Sequence, residues 1–278
     1  MYTQHQLNRA RKLTYEHSGI TLGDNKDVMI SNRLDKLKRV LGKSDINEIL
    51  SMCENGYELD TFVSVFTTNK TNFFRESFHF DDLKDRAMKQ AITNSQSEFK
   101  VYCSASSTGE EPYSILMTIE EAKKEFNSSI NYSLIATDID KEVLAHAKEG
   151  VYEYKRNIDD FPQWIKPSDY FKRREHPNTA GDYLIKVKDT LNKKVKFEQM
   201  NLMSQKYPFK DGEFDVVFCR NVLIYFNQND QNAILKKLFK TLKMGGTLYL
   251  GHSENPLELT PYLQRCGQNI FIKKKESI

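Results

Sequence analysis

The feature that most restricts the fold is an alternation of short apolar segments with helical segments, which begins near residue 96. Six apolar segments have the length of a β-strand, and turns or helical patterns separate them. They are 99–103, 132–136, 195–200, 214–219, 247–250 and 269–272. This alternation predicts an α/β fold with a doubly wound, mostly parallel sheet. The segments 170–175 and 183–188 instead predict a β-hairpin, inserted outside the sheet.

Residues before 96 have a helical pattern. Ile30, Leu34, Leu37 and Leu41 repeat at the spacing of one helix face. Similar patterns continue to Ile92, and the polar segment 93–97 then separates them from the first strand. We therefore predict two domains: a helical domain at 1–95, and a second domain at 96–278 with the hairpin as a small subdomain at about 168–194.

Composition excludes several classes of protein. No apolar run approaches the roughly 18 residues that a membrane-spanning helix needs, and the first residues lack the apolar core of a secretory signal. The four cysteines are widely spaced, which argues against a zinc site or a disulfide scaffold. The 41 basic and 38 acidic residues are too balanced to indicate nucleic-acid binding. We expect a cytoplasmic protein without a metal.

In open α/β sheets, ligands bind beyond the carboxyl ends of the strands. The first predicted strand is followed by small residues and then by Glu110 and Glu111. This segment lacks both G-x-G-x-x-G and a P-loop lysine, and its carboxylates favour a cationic or hydroxyl-rich ligand over a pyrophosphate. The alternative is an ordinary helix start with acidic residues in its first turn.

Polar residues follow two other predicted strands directly. Asp138 stands where such folds bind ribose hydroxyls, although aspartate is also common in turns. Arg220 and Asn221 come directly after the apolar segment 214–219, a position that is hard to explain as solvated surface. These residues are therefore candidates for the same ligand site.

Five segments carry a specific resemblance. They are TTNKTNFFRE (67–76), STGEEPYS (107–114), ATDID (136–140), CRNVLIYF (219–226) and GHSEN (251–255). Together they resemble the family of chemotaxis receptor glutamate O-methyltransferases, and they occur in the order of that family. The resemblance covers nearly the whole chain. It implies a Rossmann-like S-adenosylmethionine-dependent methyltransferase fold with an N-terminal all-helical domain and a small antiparallel β insertion.

The resemblance also implies an activity. Members of this family transfer a methyl group from S-adenosylmethionine to glutamate side chains on the cytoplasmic helical region of chemotaxis receptors, leaving S-adenosylhomocysteine. It implies catalytic roles for Arg75 and Tyr225. The alternative role for Arg75 is a structural ion pair with Glu76 or another neighbour. The residues that it implies around the cofactor are Asn69, Thr71, Arg75, Glu111, Asp138, Asn201, Leu202, Arg220 and Asn221. Glu110 remains an alternative to Glu111.

The residue types agree with this chemistry. A glutamate carboxylate has a pKa of ~4.3 and is already ionised at neutral pH, so a general base is not required. No convincing constellation of histidine or cysteine stands in the sequence. Two other functions remain open: a methyltransferase that acts on another substrate, and a non-catalytic adaptor that binds the cofactor and receptors.

Charge patterning suggests where a receptor docks. Opposite the apolar stripe of the helix around Ile30–Leu41, the sequence carries several basic residues against only Asp35. We predict that Arg33, Lys36, Arg39 and Lys43 dock a glutamate-rich helical bundle, with a solvated surface as the alternative. We expect a monomer that neither binds nucleic acid nor inserts into the membrane.

Overall fold

The computed structural model describes residues 2–154, 161–176 and 183–276. Its strands are β1 (Glu98–Ser104), β2 (Asn131–Asp138), β3 (Val151–Tyr154), β4 (Phe171–Glu175), β5 (Tyr183–Val187), β6 (Val195–Gln199), β7 (Phe214–Cys219), β8 (Leu242–Leu250), β9 (Leu263–Gly267) and β10 (Ile270–Lys273). Its α-helices are α1 (Gln4–Ser18), α2 (Asp27–Leu41), α3 (Ile46–Glu54), α4 (Leu59–Phe66), α5 (Phe78–Asp82), α6 (Lys89–Thr93), α7 (Glu110–Glu125), α8 (Lys141–Glu149), α9 (Pro167–Tyr170), α10 (Asp189–Asn192) and α11 (Gln228–Thr241). A π-helical segment, Leu83–Met88, joins α5 to α6, and short 3₁₀ helices lie at Asp24–Lys26, Leu223–Tyr225 and Leu257–Tyr262.

Within the described residues, seven strands form the main sheet in the order β6-β2-β1-β7-β8-β10-β9. β1 pairs in parallel with β2 on one side and with β7 on the other. β6 and β8 continue the parallel pairing outward, and β10 and β9 add two antiparallel strands at one edge. The predicted α/β fold with a mostly parallel sheet is confirmed. The strand order reverses beside β1, where a crevice for a ligand opens in such sheets.

Helices cover both faces of this sheet. Val101 and Cys103 of β1 belong to one apolar cluster, with residues of α7 and of the helical segment 78–93. Tyr102 points to the opposite face and packs in a second cluster with α11. Because side chains alternate along a strand, both faces must be covered for a strand this apolar to be buried.

The first four helices have an apolar cluster of their own, which includes Ile30, Leu34 and Leu37 at 0% exposure. The predicted helical stripe is therefore the buried face of α2. The segment 78–93 is helical as predicted, but its apolar side chains pack in the cluster of the sheet. The boundary at residue 95 stays a prediction. The last buried member of the apolar cluster of the first four helices is Phe66, whereas Phe73 and Phe74 pack in the cluster of the sheet.

A separate three-stranded antiparallel sheet has the order β3-β5-β4. β4 and β5 are the two strands of the predicted hairpin, with Phe171 opposite Val187 and Glu175 opposite Tyr183. Most of the predicted hairpin loop, 177–182, lies outside the described residues. Two strands were not predicted. β3 is only four residues long, and β9 is largely exposed and lacks an apolar pattern.

The sequence predicts that the helix from Gln228 runs to Leu242 and that Gly245 and Gly246 close it. That prediction is wrong at its end, because α11 stops at Thr241 and β8 begins at Leu242. Leu242 pairs with Phe214, and the register shifts before Val216. A Cβ on Gly246 would lie 2.9 Å from the carbonyl oxygen of Asp215. Gly246 therefore lets β8 approach β7 closely, and Gly245, with a φ of +73°, lies within β8 rather than ending a helix.

Throughout the described part of the chain, each helix is too short or too polar to cross a bilayer.

Candidate active site

A cleft of about 870 Å³, counting the solvent at its mouth, opens at the carboxyl ends of β1, β2 and β7. Ser18, the last residue of α1, and Ile20, which follows that helix, contribute to its wall. The structure brings all the residues of the predicted catalytic and cofactor set to this one cleft: Asn69, Thr71, Arg75, Glu111, Asp138, Asn201, Leu202, Arg220, Asn221 and Tyr225.

The turn after β1 brings backbone close to the cleft. Ala105 and Ser107 have φ values of +50° and +49°, which residues with a Cβ adopt less easily than glycine. The Ser106 N–H donates to the Thr137 carbonyl over 2.9 Å and ties this turn to β2. Ser106 lines the cleft, and its hydroxyl is buried without a hydrogen-bond partner among the described residues. A bound polar ligand would satisfy it.

Asp138 is the last residue of β2 and is 7% exposed. Its Oδ2 accepts a hydrogen bond of 2.8 Å from the Ser107 N–H, and its Oδ1 accepts one of 3.0 Å from Asp140. Burial raises the pKa of Asp138 to about 6, against the opposing effect of these N–H groups. Each oxygen keeps a lone pair, so the carboxylate can still accept hydrogen bonds from hydroxyl groups.

Arg220 lies beneath the cleft with a fully buried side chain. Its Nη1 donates to Glu111 Oε2 over 2.5 Å, and its Nη2 donates to the Arg75 carbonyl and lies 3.2 Å from Glu76 Oε2. Glu111 therefore faces the cleft as one partner of a buried ion pair. Glu110 does not line the cleft; its carboxylate accepts from the Thr108 hydroxyl over 2.6 Å.

Asn221 has a φ of +57°, and a residue that the sequence analysis did not assign holds it in place. The buried Glu254 carboxylate accepts hydrogen bonds from the N–H groups of Asn221, Val222, Leu223 and Gly251, at 2.6–3.0 Å. Burial raises the pKa of Glu254 although these donors oppose the rise. Glu254 belongs to the GHSEN segment that carries part of the family resemblance. The fold shows that its carboxylate fixes the loop after β7.

Asn69 lines the cleft and also makes hydrogen bonds within the fold. Its Nδ2 donates to Asp140 Oδ2 over 2.8 Å, and its carbonyl accepts from the Ser107 hydroxyl over 2.9 Å. Asp140 is 1% exposed and also accepts from the Thr67 hydroxyl. This residue caps α8 through the Glu142 N–H. Asp140 thus fastens the segment after α4 to the sheet, a role that the sequence analysis missed.

Asn201 makes a similar connection to the first helix. Its Nδ2 donates to the His17 carbonyl over 2.8 Å, and its Oδ1 accepts from the Met203 N–H. Nearby, the Thr21 N–H donates to the Tyr225 carbonyl over 2.8 Å. These bonds hold the segment after α1 across one side of the cleft.

Arg75 and Tyr225 have the least engaged side chains of the predicted set. The Arg75 guanidinium donates one hydrogen bond, of 3.3 Å, to the Lys70 carbonyl, and its other N–H groups have no partner among the described residues. Glu76 pairs with Arg220 instead, so the alternative role of Arg75 in an ion pair with Glu76 is wrong. The Tyr225 hydroxyl also makes no hydrogen bond to any residue that the structure describes.

The four predicted docking residues are in different environments. Arg33 is half-buried, and its guanidinium donates to the carbonyls of Val65 and Thr67 and to the Thr68 hydroxyl at 2.7–2.9 Å. Its placement on an exposed face is therefore wrong. Lys43 pairs with Glu48. Lys36 and Arg39 are exposed, and the Arg39 guanidinium donates a hydrogen bond of 3.4 Å to the Asp35 carbonyl of its own helix.

A family model for the S-adenosylmethionine-binding domain of CheR methyltransferases matches residues 69–272. The chain belongs to this family. It is a methyltransferase, and its cofactor is S-adenosylmethionine. The match starts beside α4 and so includes the helical segment 78–93 that packs against the sheet.

Two chemotaxis protein methyltransferases are about one-third identical to this chain and cover more than nine-tenths of it. The chemotaxis protein methyltransferase of Escherichia coli (strain K12) is 36% identical over 273 residues, which cover 97% of this chain and 91% of that protein. That of Borreliella burgdorferi is 35% identical over 259 residues, with 91% and 88% covered. A solved S-adenosylmethionine-dependent methyltransferase from Aquifex aeolicus is 12% identical with a TM-score of 0.32, covering 62% of this chain and 70% of that one.

The residues of the cleft suit this cofactor. The carboxylates of Asp138 and Glu111 line the cleft, and carboxylates suit a ligand that carries hydroxyl, sulfonium and ammonium groups. The buried Ser106 hydroxyl, which has no hydrogen-bond partner among the described residues, is available for a further polar contact. In the described part of the chain, no group of three or more His, Cys, Asp and Glu side chains is arranged to hold a metal ion.

Proposed function

We propose that this methyltransferase esterifies glutamate side chains on the cytoplasmic helical region of chemotaxis receptors and acts as a cytoplasmic monomer in sensory adaptation. The relatives are chemotaxis protein methyltransferases by name, which supports the pathway. The observation that carries the proposal is the placement of Arg75 and Tyr225, with little-engaged side chains, in the same cleft as Asp138.

In this proposal the cleft holds the cofactor through several residues of the chain. Asp138 accepts hydrogen bonds from the ribose hydroxyls, while Glu111 and Asn221 hold polar atoms of the methionine portion. Asn69, Thr71, Asn201 and Leu202 shape the walls, the two asparagines mainly through the contacts that fix their segments. When bound, the cofactor supplies a methyl group on a positively charged sulfur.

Arg75 and Tyr225 act on the substrate side. The free N–H groups of the Arg75 guanidinium can orient a glutamate carboxylate, and the Tyr225 hydroxyl can donate to the same group. The reaction removes charge, because a carboxylate and a sulfonium give two neutral products. Strong binding of the carboxylate would stabilise the ground state, so catalysis depends on alignment and on excluding water.

We further propose that the exposed side chains of Lys36 and Arg39, with Lys43 beside them, dock the receptor. Helix α2 is rigidly placed, because Arg33 of the same helix bonds to residues 65–68 near the cleft. A cationic face on this helix is complementary to a glutamate-rich helical bundle. Arg33 contributes by holding the helix, not by contacting the receptor.

Radiolabelled S-adenosylmethionine tests this function in a direct assay. The protein is incubated with membranes that contain chemotaxis receptors, and the labelled products are treated with base. We expect label in the receptor band that is released as methanol, since methyl esters are base-labile. Label that survives base, or label in nucleic acid or small molecules only, would overturn the proposed substrate. Cofactor binding without any transfer would favour the adaptor alternative.

A further inference from the structure

Glu76 lies behind the cleft, outside its lining, and contacts several of its residues. Its Oε1 accepts a hydrogen bond of 3.0 Å from Asn221 Nδ2 and lies 3.3 Å from His252 Nδ1. Its Oε2 lies 3.2 Å from Arg220 Nη2 and 3.7 Å from Nδ1 of the buried His79. Its backbone has a φ of +56° directly after Arg75. One carboxylate thus joins the segment of Arg75 to the loop after β7.

The positive charge of Arg220 is outnumbered by the negative charges of its neighbours. Its guanidinium is fully buried and lies between two carboxylates, those of Glu76 and Glu111. Burial opposes the ionisation of Glu76, but the Asn221 hydrogen bond and the Arg220 charge outweigh it and lower its pKa to about 2. Burial lowers the pKa of His79 to about 4, so that this histidine adds no charge at neutral pH. The group therefore carries one net negative charge beneath the cleft.

We propose that Glu76 is a positioning residue whose negative charge, together with its hold on Arg220 and Asn221, favours cationic S-adenosylmethionine over its neutral product. This inference rests on the proposed cofactor site. Arg75 lines the same cleft, and its positive charge disfavours the sulfonium relative to the neutral product. Glu76 reduces that preference, which limits inhibition by S-adenosylhomocysteine.

A purely structural role for Glu76 predicts something different. If the carboxylate only fixed Arg220 and Asn221, its replacement would loosen the cleft and weaken both ligands by the same factor. A charge effect acts on the sulfonium alone, because the two ligands differ in that methyl group and its charge. The ratio of the two dissociation constants therefore separates the roles, and it is a binding measurement that does not depend on turnover.

The test measures both dissociation constants by calorimetry for Glu76→Gln and Glu76→Asp. For Glu76→Gln, which keeps an acceptor for Asn221, we expect S-adenosylmethionine to bind roughly fivefold more weakly relative to S-adenosylhomocysteine than in the wild type. Glu76→Asp keeps the charge and should leave the ratio unchanged even if both ligands weaken. Glu54→Gln is the matched control, since Glu54 pairs with Arg9 far from the cleft.

An equal loss for both ligands in Glu76→Gln would overturn the charge role. If Glu76→Gln does not fold, a changed ratio in Glu76→Asp would overturn it as well, because that variant retains the charge. Asp138→Ala separates this inference from the cofactor site. If Asp138→Ala weakens neither ligand, the site itself is wrong; if it weakens both alike while the Glu76→Gln ratio stays at the wild-type value, only the inference about Glu76 fails.

Discussion

Arg33 donates a hydrogen bond of 2.7 Å to the carbonyl oxygen of Thr67. The same guanidinium donates to the Val65 carbonyl and to the Thr68 hydroxyl, so it closes the end of α4 and holds the segment that leads into the cleft. Burial lowers the pKa of Arg33. A residue that looks like part of a basic surface in the sequence is therefore a link between α2 and the cleft.

Replacing Arg33 should destabilise the fold. We expect Arg33→Ala to lower the free energy of unfolding by about 2 kcal/mol, because it leaves two carbonyl groups without their charged donor. Lys36→Ala, on the same helix but exposed, should change it by less than about 0.5 kcal/mol. Urea unfolding followed by circular dichroism measures both values. An equal change in the free energy of unfolding for the two variants would indicate that Arg33 is an ordinary solvated surface residue.

The outcome for α2 shows what sequence patterns can and cannot predict. Burial of Ile30, Leu34 and Leu37 follows from helical spacing alone, since spacing sets which side chains share a face. The position of Arg33, at the edge of that face, depends on where residues 65–68 pass. That path is set by tertiary packing between segments more than 30 residues apart, and no local pattern encodes it.

The residues of the candidate site also fall into a group that sequence patterns predict and a group that they do not. Asp138, Arg220 and Asn221 could be predicted because they lie at the carboxyl ends of strands, which parallel pairing brings together. Asp140 and Glu254 could not be assigned, because each acts through backbone N–H or amide groups supplied by distant segments. A possible signal for Asp140 was its position before the helical segment starting at Lys141, where a helix-capping residue is expected.

Cofactor binding should depend on the protonation of Asp138. Its pKa of about 6 in the free protein means that a proton competes below that pH with hydroxyl groups that donate to the carboxylate. We expect the dissociation constant of S-adenosylhomocysteine to rise about tenfold between pH 7.5 and pH 5. Calorimetry at both values checks this, with Asp138→Asn as the control that should show a much smaller change. The same rise in both proteins would assign it to another group.

Charge reversal at the proposed docking residues of α2 and of the turn after it should weaken receptor binding and leave cofactor binding unchanged. For Lys36→Glu, Arg39→Glu and Lys43→Glu combined, we expect the KM for receptor to rise at least about fivefold at low salt and to lose most of its salt dependence. Cofactor affinity should stay unchanged. The exposed Lys206, Lys240 and Lys274 provide a control triple with the same change in net charge. An equal rise in KM for both triples would make the effect one of net charge only.

Arg75 and Tyr225 should be needed for transfer and not for folding. Arg75→Ala removes one hydrogen bond of 3.3 Å, so unfolding free energy should change by less than about 1 kcal/mol. We expect transfer to receptor to fall roughly a hundredfold for Arg75→Ala and about tenfold for Tyr225→Phe. Initial rates with labelled cofactor, alongside urea unfolding, measure both properties. A large loss of stability in Arg75→Ala would instead indicate a structural role.

A crystal structure of the protein with S-adenosylhomocysteine is the most direct test of the claim that this cleft is the cofactor site. The account predicts electron density within the cleft at the carboxyl ends of β1, β2 and β7, with the ribose hydroxyls on the Asp138 carboxylate. It also predicts that the sulfur points toward the side chains of Arg75 and Tyr225. Density for the ligand elsewhere on the protein, with Asp138 making no contact to it, would contradict the account.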